Sequence, residues 1–223
     1  MAAPIELTNI KLQYFPIAGR GEPIRYMLED AGVAYEEAAD VQMFRDGKFD
    51  YEQYRFNQLP RLTVNGTHLF QQGAILRFLA KAKGYTGSGD IFQDTLVDQL
   101  QDACEDLNVA YVSKIYAPNG PELLLTFIKE HVPKVLKQFD YIFSKNQQAS
   151  GYLAYEKPSF AEFHLLYLFH ALSHLNPALL EAFPTLKAWN ERMLARPGLK
   201  AYFESGRMKT QLNGNDNGQK AIV

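Results

Sequence analysis

Asn57-Gln58-Leu59-Pro60-Arg61-Leu62-Thr63-Val64-Asn65-Gly66-Thr67-His68-Leu69-Phe70-Gln71-Gln72-Gly73-Ala74-Ile75-Leu76-Arg77-Phe78-Leu79-Ala80-Lys81 is the stretch that decides the fold. It reads as loop, proline, short strand, two-residue turn, short strand and helix. Asn65-Gly66 is the strongest hairpin signal in the chain, because both residues tolerate positive φ. Pro60 stands at the mouth of the first strand, where a missing N–H does least harm. That position predicts a cis peptide, which would turn the Leu59 backbone toward a ligand. Gln71-Gln72 opens the helix, where free N–H groups and the helix dipole favour an anion. The plainer reading, a hairpin that simply runs into a helix, is equally compatible with these residues alone.

Upstream, 10–15 reads as a first strand, broken by Pro16 and Gly19. Ile24, Met27, Leu28 and Ala31 recur at helical spacing, and Gly32 closes that helix. A second strand is predicted over 34–41, and 44–54 is irregular or helical. The order β-α-β-(α)-β-β-α makes an α/β domain over 8–83. Lys83-Gly84-Tyr85-Thr86-Gly87-Ser88-Gly89 marks a linker, taken as 84–90. Beyond it no strand pattern appears.

Leu96, Leu100, Ala103, Leu107 and Ala110 predict one helical stripe, with Asp98, Asp102, Glu105 and Asp106 on the opposite face. Pro121 suits a helix first turn, and Pro133 is expected to kink the helix that follows. Ser159-Phe160-Ala161-Glu162 is a capping box. It opens an apolar helix, whose run free of Asp, Glu, Lys and Arg (163–180) is too polar for a membrane span. Pro184 and Pro197 each start a further helix. The chain thus reads as an α/β domain followed by an all-helical domain over 91–212, with a loose tail at 213–223.

The 223 residues carry 47% hydrophobic and 22% charged side chains, the balance of a soluble globular protein. A net charge of −2 offers no basic field for nucleic acid. Cys104 is the single cysteine, so no internal disulfide forms. The first twelve residues lack a basic region followed by an apolar block, so no secretory leader, no membrane association and a cytoplasmic location are expected.

The residues Tyr14-Phe15, Gly19-Arg20, Arg25, Gln58-Leu59-Pro60, Gln71 before Ala74-Ile75-Leu76-Arg77, Glu105-Asp106, Ser159-Phe160-Ala161-Glu162 and Ala195-Arg196-Pro197 together carry a resemblance. In order and spacing they are similar to the cytosolic glutathione transferases, which join a thioredoxin-like domain to a helical domain. The resemblance spans essentially the whole chain. It is closest to the tyrosine-type branch (pi, mu, alpha, sigma) and most pi-like in the helix opened by Ser159 and in Leu212-Asn213-Gly214-Asn215.

The resemblance implies conjugation of glutathione to hydrophobic electrophiles, with Tyr14 as the catalytic residue. The thiolate is the nucleophile, and a hydroxyl donating to sulfur favours that charged form. A core-anchoring tyrosine is the plain reading of Tyr14. The thioredoxin Cys-x-x-Cys is missing from Tyr14-Phe15-Pro16-Ile17, which argues against dithiol chemistry.

By the same resemblance Arg20, Phe44 and Lys48 neighbour the glycine end of glutathione. Phe44 stands where the branch usually has tryptophan, and 49–56 holds an insertion. Leu59 pairs its backbone with the cysteinyl unit, held by Pro60 beside Gln58, and Gln71 takes the γ-glutamyl end. Gln72 replaces a serine or threonine whose hydroxyl holds the γ-glutamyl carboxylate, so an N–H is kept and a hydroxyl lost. Asp106 of a second copy reaches the γ-glutamyl amine. Phe56, Arg77 and Asp98 belong to a homodimer interface. Ile17 and Tyr116 shape the electrophile pocket. Glutathione is a co-substrate, and no cofactor or metal is implied.

His170 and His174 share a helix face at four-residue spacing. Ala171 replaces the glutamate of a His-Glu-x-x-His motif, so core or interface histidines are expected. Cys104 reads as a buried small residue. Two other function classes stay open: a glutathione-dependent isomerase or peroxidase using the same site, and a weakly active ligand-binding or structural protein on this fold.

Overall fold

A computed structural model describes residues 6–38, 40–146, 150–153 and 156–223. Two compact units emerge: Met1–Tyr85 with Pro197–Gln211, and Thr86–Arg196 with Leu212–Val223. The first therefore takes in a helix that follows the whole helical region in chain order.

In the first unit β1 (Lys11–Gln13), α1 (Glu22–Asp30), β2 (Glu36–Ala38), α2 (Val41–Gly47), β3 (Arg61–Val64), β4 (Thr67–Phe70) and α3 (Gln72–Lys83) follow in order. The sheet runs β2-β1-β3-β4. β1 is parallel to β2 and antiparallel to β3, and β3 and β4 form the hairpin. Asn65 and Gly66 have φ of 51° and 80°, as their turn requires. The Asn65 side chain also accepts from the Thr8 N–H and hydroxyl and donates to the Glu6 carbonyl, tying down the strand before β1.

The second strand is shorter than predicted. Asp40 accepts from the Met43 N–H at 2.8 Å and so caps α2, which turns Val41 into a helix residue. Ala39, inside the expected strand, lies outside the described residues, as do the first five residues of the expected leaderless start. Pro23 sits in the first turn of α1 and Gly32, at φ 62°, follows its end. Helix α9 (Pro197–Glu204) packs on α1, which is why it clusters with the sheet.

The second unit holds α4 (Ile91–Ile115), α5 (Gly120–Thr126), α6 (Val132–Asn146), α7 (Phe160–Leu175) and α8 (Pro184–Leu194). Helix α7 is its axis: thirteen of its sixteen residues, from Phe160 to Leu175, are buried. Full burial of each large apolar side chain contributes roughly 1.5–3 kcal/mol. The capping box forms as expected. Glu162 accepts from the Ser159 N–H (2.7 Å) and hydroxyl (3.0 Å), and also from the Leu153 N–H (3.2 Å) and the Trp189 indole (2.8 Å). Burial pushes this carboxyl's pKa up, and the donors oppose that.

Three expectations need correction here. The buried face of α4 is Val97, Leu100, Gln101, Cys104, Leu107, Asn108, Tyr111 and Ile115, so the predicted stripe is rotated. A 3-4-3-4 spacing through 97, 100, 104, 107 and 111 admits two polar amides that a hydropathy count excludes. The kink expected at Pro133 is instead absorbed by a π-helical turn, Phe127–His131, just ahead of it. The tail is not loose. The Asn213 amide donates to the Asn217 carbonyl, Asn217 donates to the Ile115 carbonyl, and the Gln219 amide donates to the Asn213 and Asn215 carbonyls. Leu212 and Asn213 are buried. Among the described residues no helix is long and apolar enough to cross a membrane.

Candidate active site

Strand register assembles the site in the first unit. Gln13 pairs with Arg61, and Arg61 with Phe70. The residues just beyond these positions, Tyr14, Pro60 and Gln71, therefore share one end of the sheet. Tyr14, Ile17, Phe44 and Leu59 lie in one cluster with Tyr54 and Phe70, and Phe15 packs against it. Four sequence-predicted site residues are thus brought together.

Tyr14 is 7% exposed, and its hydroxyl oxygen accepts the Arg20 backbone N–H at 2.9 Å. A hydroxyl that accepts one hydrogen bond becomes a stronger donor for the next. The donor comes from a 3₁₀ turn, Gly19–Gly21, folded over the ring. A Cβ on Gly19 would stand 2.7 Å from the hydroxyl, and one on Gly21 would stand 2.6 Å from ring atom Cδ1. Sequence reasoning took Gly19 for a strand breaker and passed over Gly21. The signal was present, since a Gly-x-Gly pair after a strand marks close approach of backbone to a ring or ligand.

Leu59 and Pro60 are joined by a cis peptide, as predicted. Neither the N–H nor the C=O of Leu59 is hydrogen-bonded among the described residues. An extended peptide can pair with such an edge as an added strand would. Gln58 beside it is exposed. Gln71 caps α3 at φ 66° with its side chain exposed and no side-chain cap bond, which leaves the first helical N–H groups open.

Gln72 is different. It is 3% exposed, and neither its amide oxygen nor its nitrogen finds a partner among the described residues. Phe44, at the same site, is edge-on to Phe15 and Tyr54. Lys48 lies with its ammonium 5.0 Å from the Phe49 ring centroid. The expected insertion over 49–56 is anchored by Tyr54, whose hydroxyl donates to Gln13 (3.1 Å), while Gln13 donates to the Asp40 carbonyl (2.8 Å). This clamp, one residue from Tyr14, went unread in the sequence.

Phe56 is 52% exposed and edge-on to Phe70, and Arg77 is half-buried on α3. In the second unit Asp98, Asp102 and Asp106 are exposed on α4. Tyr116 is exposed too, and its hydroxyl accepts the Gly214 N–H at 3.0 Å. Cys104 is fully buried, which pushes its thiol pKa up and away from nucleophilic use. The His174 Nδ1 sits 2.9 Å from the His170 carbonyl, so Nδ1 carries the proton. Burial, then the neighbouring His174, lower the His170 pKa to about 4, and it is neutral at pH 7.

A thioredoxin-type sheet thus carries a tyrosine hydroxyl, an open backbone edge and an uncapped helix start at one end. Residues 105–206 match the family model described as the glutathione S-transferase C-terminal domain. A protein of Bos taurus called glutathione S-transferase P is 34% identical over 206 residues, covering 91% of this chain and 95% of the relative. One of the same name from Caenorhabditis elegans is 32% identical over 215 residues, covering 93% and 98%. The solved structure of the Pi-class glutathione S-transferase of Onchocerca volvulus superposes with a TM-score of 0.82 at 31% identity, covering 93% of this chain and 98% of that one. The chain belongs to the glutathione S-transferase family.

Proposed function

We propose that the chain is a glutathione S-transferase that joins the glutathione thiolate to hydrophobic electrophiles, with Tyr14 as the catalytic residue. The observation that carries this reading is the Tyr14 hydroxyl, which accepts the Arg20 N–H at 2.9 Å and lies in one cluster with Leu59. The hydroxyl donates to the sulfur, and the thiol proton leaves to solvent. The thiolate then attacks the electrophilic carbon, a carbon–sulfur bond forms, and the leaving group departs with the electron pair it shared. Tyr14 keeps its own proton throughout, so it stabilises charge without carrying any.

Leu59, held by Pro60 beside Gln58, pairs with the cysteinyl backbone. Gln71 and the α3 N–H groups, that of Gln72 included, receive the γ-glutamyl end. Arg20, Phe44 and Lys48 flank the glycine end. Asp106 is supplied by a second copy in a homodimer that also uses Phe56, Arg77 and Asp98. Ile17, beside Tyr14 in the same cluster, belongs to the electrophile pocket. Glutathione is co-substrate and no other cofactor is called for. A cytoplasmic setting suits an enzyme that draws on a reduced thiol pool.

The test is turnover of a chromogenic aryl halide by wild type and Tyr14→Phe at neutral pH. A hydrogen bond to a charged group is worth about 1.5–3 kcal/mol, so a roughly 10- to 100-fold fall in kcat/KM is expected. Equal rates would remove Tyr14 from the mechanism.

A further inference from the structure

Between Tyr14 and α1 the chain reverses and brings the Arg20 N–H onto the Tyr14 hydroxyl. What holds this reversal lies outside it. The guanidinium of Arg25, fully buried, donates through Nη1 to the carbonyls of Ile17 (3.1 Å) and Ala18 (3.4 Å). The same nitrogen reaches Glu22 at 2.8 Å, while Nε and Nη2 fork onto the two oxygens of Glu37 on β2. These are the two peptide units that lead into the glycine turn.

The network continues into the last part of the first unit. Tyr202 of α9 donates its hydroxyl to the other oxygen of Glu22 at 2.9 Å. The Ala18 N–H donates to the Gln211 carbonyl at 2.8 Å, and Lys209 stands 3.8 Å from Glu37. Arg207 is forked onto Glu29 at 2.6 and 2.7 Å, pinning the segment between α9 and Gln211. Burial and the Glu22 charge raise the Tyr202 pKa, so its hydroxyl stays protonated and serves as donor.

Apart from the main-chain bond from the Glu22 N–H to the Ala18 carbonyl (3.1 Å), the bonds that reach Ile17 and Ala18 from outside the turn, among the described residues, end on the buried Arg25 cluster or on 197–211. A shift of the turn would change the Arg20–Tyr14 hydrogen bond and, through Gly19 and Gly21, the ring's own position. Hydrogen-bond strength falls steeply with angle and distance, so small displacements matter.

We infer that Arg25 is a positioning residue for Tyr14, and that the segment 197–211 tunes the acidity of the bound thiol by bracing Arg25's partners through Tyr202 and Gln211. The inference rests on the glutathione-activating role proposed for Tyr14.

The experiment titrates the thiolate ultraviolet absorbance of saturating glutathione bound to the full chain. It compares wild type, Arg25→Lys and Tyr202→Phe, each with its thermal midpoint, kcat and KM for glutathione. Arg25→Lys keeps the charge but loses the fork. Its bound thiol is expected to titrate about one pH unit higher, with kcat down roughly 10-fold at neutral pH and KM within about twofold. Tyr202→Phe removes one hydroxyl and is expected to shift the titration in the same direction by several tenths of a unit. A purely structural role would lower the thermal midpoint and leave the titration in place.

Titrations that superimpose in folded variants overturn the inference while leaving the glutathione reading intact. Should Arg25→Lys fail to fold, the Tyr202→Phe titration decides alone. A wild type that shows no thiolate band with glutathione overturns the glutathione reading, and this inference with it.

Discussion

Gly21 takes no positive φ, so alanine there meets no backbone penalty; the obstacles are the Tyr14 ring, 2.6 Å from where the Cβ would stand, and the Arg25 guanidinium, 3.1 Å away. Gly21→Ala therefore displaces the ring and the guanidinium that braces the turn beside it. A roughly 10-fold or larger fall in kcat/KM is expected, greater than any loss of thermal stability accounts for. Gln72 poses the opposite problem. Its amide is buried without partners among the described residues, and an unmade buried hydrogen bond costs about 1–3 kcal/mol. Gln72→Leu is expected to stabilise the ligand-free chain by about 1–2 kcal/mol in denaturant melts. A loss of stability instead would mean that the amide has a partner, such as ordered water. The identity of both residues was plain in the sequence. Their surroundings were not, because a side chain's neighbours come from other parts of the chain.

At the scale of elements, local signals did well where the physics is local. The Asn65-Gly66 turn, the proline helix starts and the Ser159–Glu162 box all formed where the sequence placed them. What places each of them is local: positive φ at Asn65-Gly66, a proline in the helix first turn, and Ser159 bonding Glu162 three residues on. Ser159→Ala removes one hydroxyl bond to Glu162 and is expected to cost about 1 kcal/mol, read from a denaturant midpoint at unchanged slope. Glu162→Ala is expected to cost well over that, since it orphans the Leu153 N–H and the Trp189 indole as well. The misreadings arose where a neighbour decides. The buried face of α4 is chosen by its packing on α7, which accepts Gln101 through His164 at 3.0 Å. Likewise the π-helical turn before Pro133 and the bonded Asn-rich tail depend on what those segments pack against.

For the molecule as a whole, His170 offers a pH test. Its native pKa of about 4 lies below the ordinary value of 6.5, set by burial and then by His174. Between these values the unfolded chain binds a proton that the native state refuses, so stability falls as pH drops from about 6.5 to 4. Glu22 and Glu162, whose pKa values are raised mainly by burial, work in the opposite sense. The informative quantity is therefore wild type minus His170→Gln, measured by urea unfolding across that window. This difference is expected to decline by roughly 2 kcal/mol toward the acid side. A flat difference would mean that His170 titrates normally in the native state.

By itself the sequence determined the order of elements, most of their turns and the family, because these rest on short-range backbone chemistry and on the order and spacing of motifs. Tertiary structure decided which oxygen the Arg20 N–H meets, why Gly21 must be glycine, and that Arg25 is braced by Tyr202 on α9. The last hydrogen bond in that chain, Tyr202 to Glu22, joins residues 180 apart in sequence. Side-chain bonding at such separation leaves no periodic or local trace, since it exists only once burial has brought the partners together and removed the water that would otherwise satisfy them.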